Sequence, residues 1–313
     1  MPEWESTEIA LRFVSGHFLT LGPERLFHQP AKAPLLEWIR MDPRRMCPHC
    51  RAFITIRDRT CPYCGETVGP RAFRPDPAAV LGGFIPHARF NTILILVVNF
   101  GLYLITSVYS MRSGYGNAMG IDSRTLVEFG AKYAPLIGMG QWWRLVTAGF
   151  LHGGLLHILM NSWVLFDLGA QVEEIYGASR MWVIYLVSSV CGFYVSAEWN
   201  PMAPSVGASA ALFGLIGAMI AMGMRHKGAM GAAIRGMYVR WAIYGLLFSL
   251  MPGIDMAAHI GGIVSGFGVA WITGTPGLEG SPREHLWRAA AWACVLVTVV
   301  SFLQMYIAFT NGV

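Results

Sequence analysis

Phe150-Leu151-His152-Gly153-Gly154-Leu155-Leu156-His157-Ile158-Leu159-Met160-Asn161 is the stretch that decides the fold. Its leucines, isoleucine and methionine predict an apolar helix long enough to enter a bilayer, continuing to about residue 168. Yet it carries two histidines and an asparagine. Polar side chains are costly inside a membrane, so function is their default explanation. His157 and Asn161 are four apart and share a helix face. His152 falls off that stripe, near the helix start, and reads as a brace for an outer loop.

Two further apolar segments carry polar groups at the same end. One is Val206-Gly207-Ala208-Ser209-Ala210-Ala211-Leu212-Phe213-Gly214. Its small residues permit close helix approach, and Gly207 permits a tight turn just before Ser209. A serine at a helix N-terminus has free backbone N–H groups and a positive dipole end beside it. The other is Ala258-His259-Ile260-Gly261-Gly262, with Gly266 following. His259, Gly262 and Gly266 lie at i, i+3 and i+7, so one stripe presents an imidazole beside two glycines. Laid against the Ser209 helix, it brings His259 within reach of the hydroxyl, with Phe213 one turn on to stack against the ring.

Each motif alone has a plainer reading as a helix contact or a packed histidine. Together they supply a nucleophile in Ser209, a base in His259 and oxyanion donors in His157 and Asn161. That set reads as a serine hydrolase built within a membrane. No aspartate stands out as a third member. Asp255, four residues before His259, reads as a loop cap, so a dyad is expected. A histidine metal site is the rival, but no carboxylate ligand lies nearby and no HExxH occurs.

Composition agrees with embedding. The chain is 54% hydrophobic and 13% charged, with mean hydropathy +0.47, against about 25% charged in an average soluble domain. Helices are predicted at about 91–111, 145–168, 180–198, 208–224, 237–252, 256–273 and 288–309. The stretch from Arg112 to Arg144 lacks a long apolar run and is expected to lie at one membrane face.

Twelve of the 23 Lys/Arg precede residue 90, and most others flank apolar segments. They are topology determinants rather than a nucleic-acid stripe, so no nucleic-acid partner is expected. With residues 1–89 inside, nineteen Lys/Arg fall on the inner side and four on the outer. The N-terminus carries Glu3, Glu5 and Glu8 without a basic n-region, so it is expected in the cytoplasm, with the C-terminus outside. Ser209 to Met224, His259 to Thr273 and His157 to Glu173 each span roughly 22–24 Å of helix at 1.5 Å per residue. The three polar groups then share one depth, a few ångströms below the outer surface of a core about 30 Å thick.

Four of the six cysteines form Cys47-Pro48-His49-Cys50 and Cys61-Pro62-Tyr63-Cys64. Paired CxxC turns at this separation predict a small zinc ribbon over 46–69 with all four thiolates as ligands. Four cysteines leave no open position, so the zinc is expected to be structural. Paired disulfides are the rival, disfavoured by a cytoplasmic site. Residues 1–45 form an N-terminal segment in which Ile9 to Leu19 has the pattern of an amphipathic surface helix, and the prolines and glycines of 70–89 mark a linker. Cys191 and Cys294 stand alone and read as packing.

Taken in order, Trp143-Arg144, His152-x4-His157-x3-Asn161, Glu173 with Gly177, Gly207-x-Ser209 and Ala258-His259-x2-Gly262 resemble the rhomboid family of intramembrane serine proteases. The resemblance covers about 90–275 and implies an all-α polytopic fold of six transmembrane helices. Residues 276–313 add a linker and a seventh helix, a six-plus-one arrangement. It implies Ser209 as nucleophile and His259 as base and then acid. His157, Asn161 and the Ser209 backbone N–H would form the oxyanion hole, with Glu173 and Gly177 as structural anchors and Trp143-Arg144 in the outer loop. Phe213 stands where many members carry tyrosine, which keeps the ring and loses a hydroxyl. The implied partners are the lipid bilayer and single-pass transmembrane substrates, and no cofactor takes part in catalysis. Two rivals are a catalytically silent relative that binds transmembrane clients, and a transporter. The transporter predicts paired midplane charges that the sequence lacks.

Overall fold

A computed structural model describes residues 44–68 apart from 48, 56 and 57, and residues 89–311 apart from 115, 117, 118, 278 and 279. The amphipathic pattern at 9–19 and the linker at 70–88 lie outside the described residues. The chain divides into two compact units, Met1–Pro75 and Asp76–Val313.

In the first unit, β1 (Arg44–Met46) pairs antiparallel with β2 (Phe53–Thr55). Each CxxC closes a turn of the same kind. The Arg51 amide donates to the Cys47 carbonyl and the Gly65 amide to the Cys61 carbonyl, both at 2.9 Å. The residue after each second cysteine takes a left-handed backbone, Arg51 at φ 61° and Gly65 at φ 72°. Cys47, Ile54, Cys61 and Val68 make up its small core.

The second unit is helical. Its elements are α1 (Phe90–Arg112), α2 (Ser123–Glu128), α3 (Ala134–Gly138), α4 (Arg144–Thr147), α5 (Leu155–Val164), α6 (Ala170–Trp199), α7 (Ser209–Arg225), α8 (Ala229–Phe248), α9 (Met256–Thr273) and α10 (Pro282–Asn311). Among the described residues, four stretches are long and apolar enough to cross a membrane: α1, Leu155–Trp199, α9 and α10; α7 is a shorter apolar helix. With large apolar side chains exposed along these helices, this is a polytopic all-α membrane protein.

Several expected boundaries are corrected. The helix expected over 145–168 is broken: α4 runs into a 3-10 turn at Ala148–Phe150, and the chain is non-helical from Leu151 until α5 begins. Gly153 and Gly154 break it where the Gly153 carbonyl accepts from Ile121 N and the Met119 carbonyl from Leu155 N, at 2.9 and 3.1 Å. α5 then continues through a π turn, Leu165–Gly169, into α6. The turn between the second and third expected helices, 145–168 and 180–198, sits at Gly177, whose φ of 76° and ψ of 160° no helix accommodates. The helix expected at 237–252 lies at Ala229–Phe248. Arg235 therefore sits within α8 rather than in the preceding connection, exposed near the helix start, where a long side chain can carry its charge to water.

α7 is the axis of the bundle. Every residue from Ala210 to Met219 is buried, as its absence of a polar face requires. It meets α9 backbone to backbone. A Cβ on Gly262 would run into the Ala210 carbonyl, and one on Gly266 into the main chain of Gly214. Without a hydrophobic force between helices in lipid, such contacts supply the packing energy.

Polar anchors hold the ends. Glu173 accepts from the amides of Asn91 and Thr92 at 2.9 and 3.0 Å and from Thr92 Oγ1 at 2.9 Å, capping the start of α1. Arg180 and Glu284 pair through two 2.7 Å contacts, tying α10 to α6. The loop between α1 and α4 is fixed by two buried cations. Arg144 donates to the carbonyls of Val127 and Ala131 and to Gln141 Oε1, at 2.6, 3.2 and 2.7 Å. Lys132 Nζ donates to Asn200 and Ala203 carbonyls at 3.0 and 2.8 Å, and burial pulls its ammonium below the ordinary lysine range. Paired backbone bonds between Lys132 and Ser205, at 2.9 and 3.0 Å, join this loop to the segment leading into α7.

The α7–α9 contact predicts a sharp contrast on one helix. Gly266→Leu should destabilise by about 3 kcal/mol or more, the upper range of overpacking. Gly268→Ala, where an added Cβ meets nothing within 4 Å, should leave thermal unfolding in detergent unchanged. Equal melting temperatures for Gly266→Leu and the parent would contradict the close approach.

Candidate active site

Ser209 is the first residue of α7, so its backbone N–H has no intrahelical acceptor. The segment before it is pinned by Gly207 N donating to the Ala148 carbonyl at 2.9 Å. Gly207 takes φ 131°, a value that favours glycine. An added Cβ there would meet His157 Nε2 at 2.7 Å and Asn161 Nδ2 at 3.4 Å. Glycine is thus needed twice, for the turn and for the approach of two side chains from α5.

The structure brings Ser209 and His259 together, with His259 Nε2 2.8 Å from Ser209 Oγ. α9 aims the ring from its first turn. Asp255 is its N-cap, accepting from the Ala258 amide at 3.0 Å, and also accepts from Ser196 Oγ. Phe213 stacks on the imidazole with centroids 4.1 Å apart and planes at 17°. Its missing hydroxyl leaves that stacking intact.

His157 and Asn161 come from one face of α5 and turn toward Gly207. His157 Nδ1 lies 3.5 Å from the Gly153 amide, a long contact that assigns the ring proton to Nε2. The Asn161 amide nitrogen is buried and has no hydrogen-bond partner among the described residues. A buried orphan donor is a standing cost unless something fills it. His157 Nε2 and Asn161 Nδ2 both border Gly207, two residues before Ser209. His152 is buried and meets His157 edge to face, with centroids 5.1 Å apart, beside the loop that ends at Gly153.

Sequence reasoning missed Ser249. It follows the last residue of α8, is 3% exposed, and puts Oγ 2.6 Å from His259 Nδ1. A serine at a helix end carries no signature beyond capping, and ten residues separate it from His259. Lys132 and Arg144, counted as outer topology charges, prove to be buried loop anchors.

In the separate N-terminal unit, Cys47, Cys50, Cys61 and Cys64 place their sulfurs within 4.8 Å of one another. Cys47 and Cys64 are 3.8 Å apart and Cys50 and Cys61 3.6 Å. These are far from the roughly 2.05 Å of a disulfide and near the ~3.8 Å edge of a tetrahedron with 2.3 Å metal–sulfur bonds. The Cys50 amide beside Cys47 brings that thiol down to about 6, against the effect of desolvation. Four soft donors in this arrangement can hold one metal ion.

The Rhomboid domain family model matches residues 139–276, which contain all four residues of the α5–α7–α9 cluster. Rhomboid-like protease 1 of Toxoplasma gondii is 30% identical over 74% of this chain and 80% of its own length. Rhomboid protease GluP of Bacillus subtilis is 33% identical over 62% of this chain, and RHOMBOID-like protein 6, mitochondrial, of Arabidopsis thaliana is 34% identical over 49%. The chain spans 36% of the Bacillus relative and 51% of the Arabidopsis one. It belongs to the rhomboid family.

Proposed function

We propose that this chain is an intramembrane serine endopeptidase acting on single-pass transmembrane proteins near the outer membrane face. The observation that carries the reading is the 2.8 Å contact between His259 Nε2 and Ser209 Oγ, together with an Asn161 amide nitrogen that has no partner among the described residues.

The chemistry follows from the positions of these groups. His259 Nε2 takes the Ser209 proton as Oγ attacks the scissile carbonyl carbon. The carbonyl oxygen becomes an oxyanion that accepts from His157 Nε2–H, Asn161 Nδ2–H and the Ser209 backbone N–H. Collapse expels the amine, protonated by His259, and leaves an acyl-enzyme on Ser209. Water then adds with His259 as base, releasing the acid and restoring the serine. A helical substrate hides its carbonyls, so helix-weakening residues near the cut and small side chains beside it should mark substrates.

In the proposed arrangement the core over 90–275 makes six crossings and 276–313 adds a seventh, with the N-terminus cytoplasmic and the C-terminus outside. The weight of Lys/Arg supports this orientation. Residues 46–69 form a ribbon around structural Zn²⁺, ligated by Cys47, Cys50, Cys61 and Cys64. Residues 1–45 precede it and 70–89 link it to the core.

Two experiments follow. Purified protein should cleave a model single-pass substrate, Ser209→Ala and His259→Ala should abolish cleavage while staying folded, and Asn161→Ala should slow it by about 10²–10³. Binding of transmembrane segments with no cleavage, across several substrates, would favour a silent client-binding relative. Metal analysis should find about one zinc per chain, lost in Cys47→Ser. A metal-free, folded parent protein would remove the ribbon's ion.

A further inference from the structure

Three groups surround the His259 ring: Phe213 on one face, Ser209 Oγ at Nε2, and Ser249 Oγ at Nδ1. A neutral imidazole has a single N–H, so the two hydroxyls cannot play the same part. Ser209 is poised for attack only when its O–H points at a lone pair on Nε2. The ring proton must then sit on Nδ1, facing Ser249.

Ser249 Oγ also lies 2.7 Å from the Gly245 carbonyl oxygen. Two oxygens that close need a proton between them, and the carbonyl can only accept. The Ser249 proton is therefore committed to Gly245, which leaves its lone pairs for Nδ1–H. One arrangement satisfies all three contacts: Ser209 O–H to Nε2, Nδ1–H to Ser249 Oγ, and Ser249 O–H to the Gly245 carbonyl. The reverse orientation would leave Nε2–H pointing at Ser209, and the ring would not be a base.

We propose that Ser249 is a positioning residue that fixes His259 in its Nδ1-protonated form and links the ring to the C-terminal carbonyls of α8. Those carbonyls are the negative end of the helix dipole, placed where the ring becomes positively charged during proton transfer. The same helix face sets the ring plane. Gly245 lies one turn before Ser249, and a Cβ there would meet Phe213 Cζ at 2.6 Å. Gly245 thus seats Phe213 against the imidazole face while Ser249 holds its edge. α8 contributes no reacting atom, yet it orients the base from two sides. This inference rests on the hydrolase reading above.

The test uses the full chain in proteoliposomes with a model single-pass substrate, comparing Ser249→Ala and Ser249→Thr with the parent. Losing a hydrogen bond to a group that becomes charged should lower kcat roughly 10- to 100-fold. KM should stay within about twofold, the melting temperature should hold, and Ser249→Thr should recover turnover. ¹⁵N spectra of labelled histidine, assigned by difference with His259→Gln, read the ring proton without any turnover. The parent should show His259 protonated on Nδ1, and Ser249→Ala should lose that preference. An unchanged kcat in Ser249→Ala, a parallel fall in kcat and melting temperature, or an Nε2-protonated ring in the parent would overturn the proposal. A parent that cuts nothing yet shows the Nδ1 proton, lost in Ser249→Ala, would sink the hydrolase reading and leave the positioning role standing.

Discussion

Close backbone contact between α7 and α9 is the constraint on which the site depends. Gly262 against the Ala210 carbonyl and Gly266 against the Gly214 main chain leave no room for a side chain. That approach sets the distance between two helix starts, one beginning with Ser209 and the other carrying His259 in its first turn. A separation larger by one methyl group would open the 2.8 Å contact. In lipid, where apolar surface gains little from meeting apolar surface, small residues are the means to such precision. The rest of the helical unit holds this pair in place: Phe213 and Ser249 orient the imidazole, and Gly207 admits the α5 donors.

The loop region shows a second economy of design. Two cations, Lys132 and Arg144, are buried among backbone carbonyls, with no carboxylate in their hydrogen bonds among the described residues. Each ties the segment between α1 and α4 to itself or to the connection that ends at Ser209. Carbonyls in irregular backbone need donors once water is excluded, and a single lysine or arginine satisfies several. The carbonyls of this loop and of the connection into α7 thereby find donors without long secondary structure. Glu173 does the converse at the other end of the bundle, satisfying free amides at the start of α1.

Much of this was legible in the sequence, for physical reasons that can be named. Apolar run length located α1, α7 and α9 within a few residues, and helical periodicity put His157 with Asn161 and His259 with Gly262 and Gly266. Paired CxxC turns marked the sulfur cluster. What periodicity cannot reach is the long-range partner. Ser249 meets His259 only because α8 ends beside the start of α9, and a lone serine at a helix end looks like any cap. The break at Leu151–Gly154 was hidden because an apolar run counts residues and not backbone bonds. The start of α8 was misplaced because Arg235 read as a connection charge, although arginine stems pack along a helix and carry their charge to water.

The most direct test of the central claim is covalent labelling of the intact protein in membranes with a fluorophosphonate probe, read by mass spectrometry and peptide mapping. The dyad predicts a single adduct on Ser209, formed in the parent and absent from folded His259→Ala. A folded parent whose Ser209 stays unmodified while a known serine hydrolase in the same membranes reacts, or an adduct that forms as fast without His259, would contradict it.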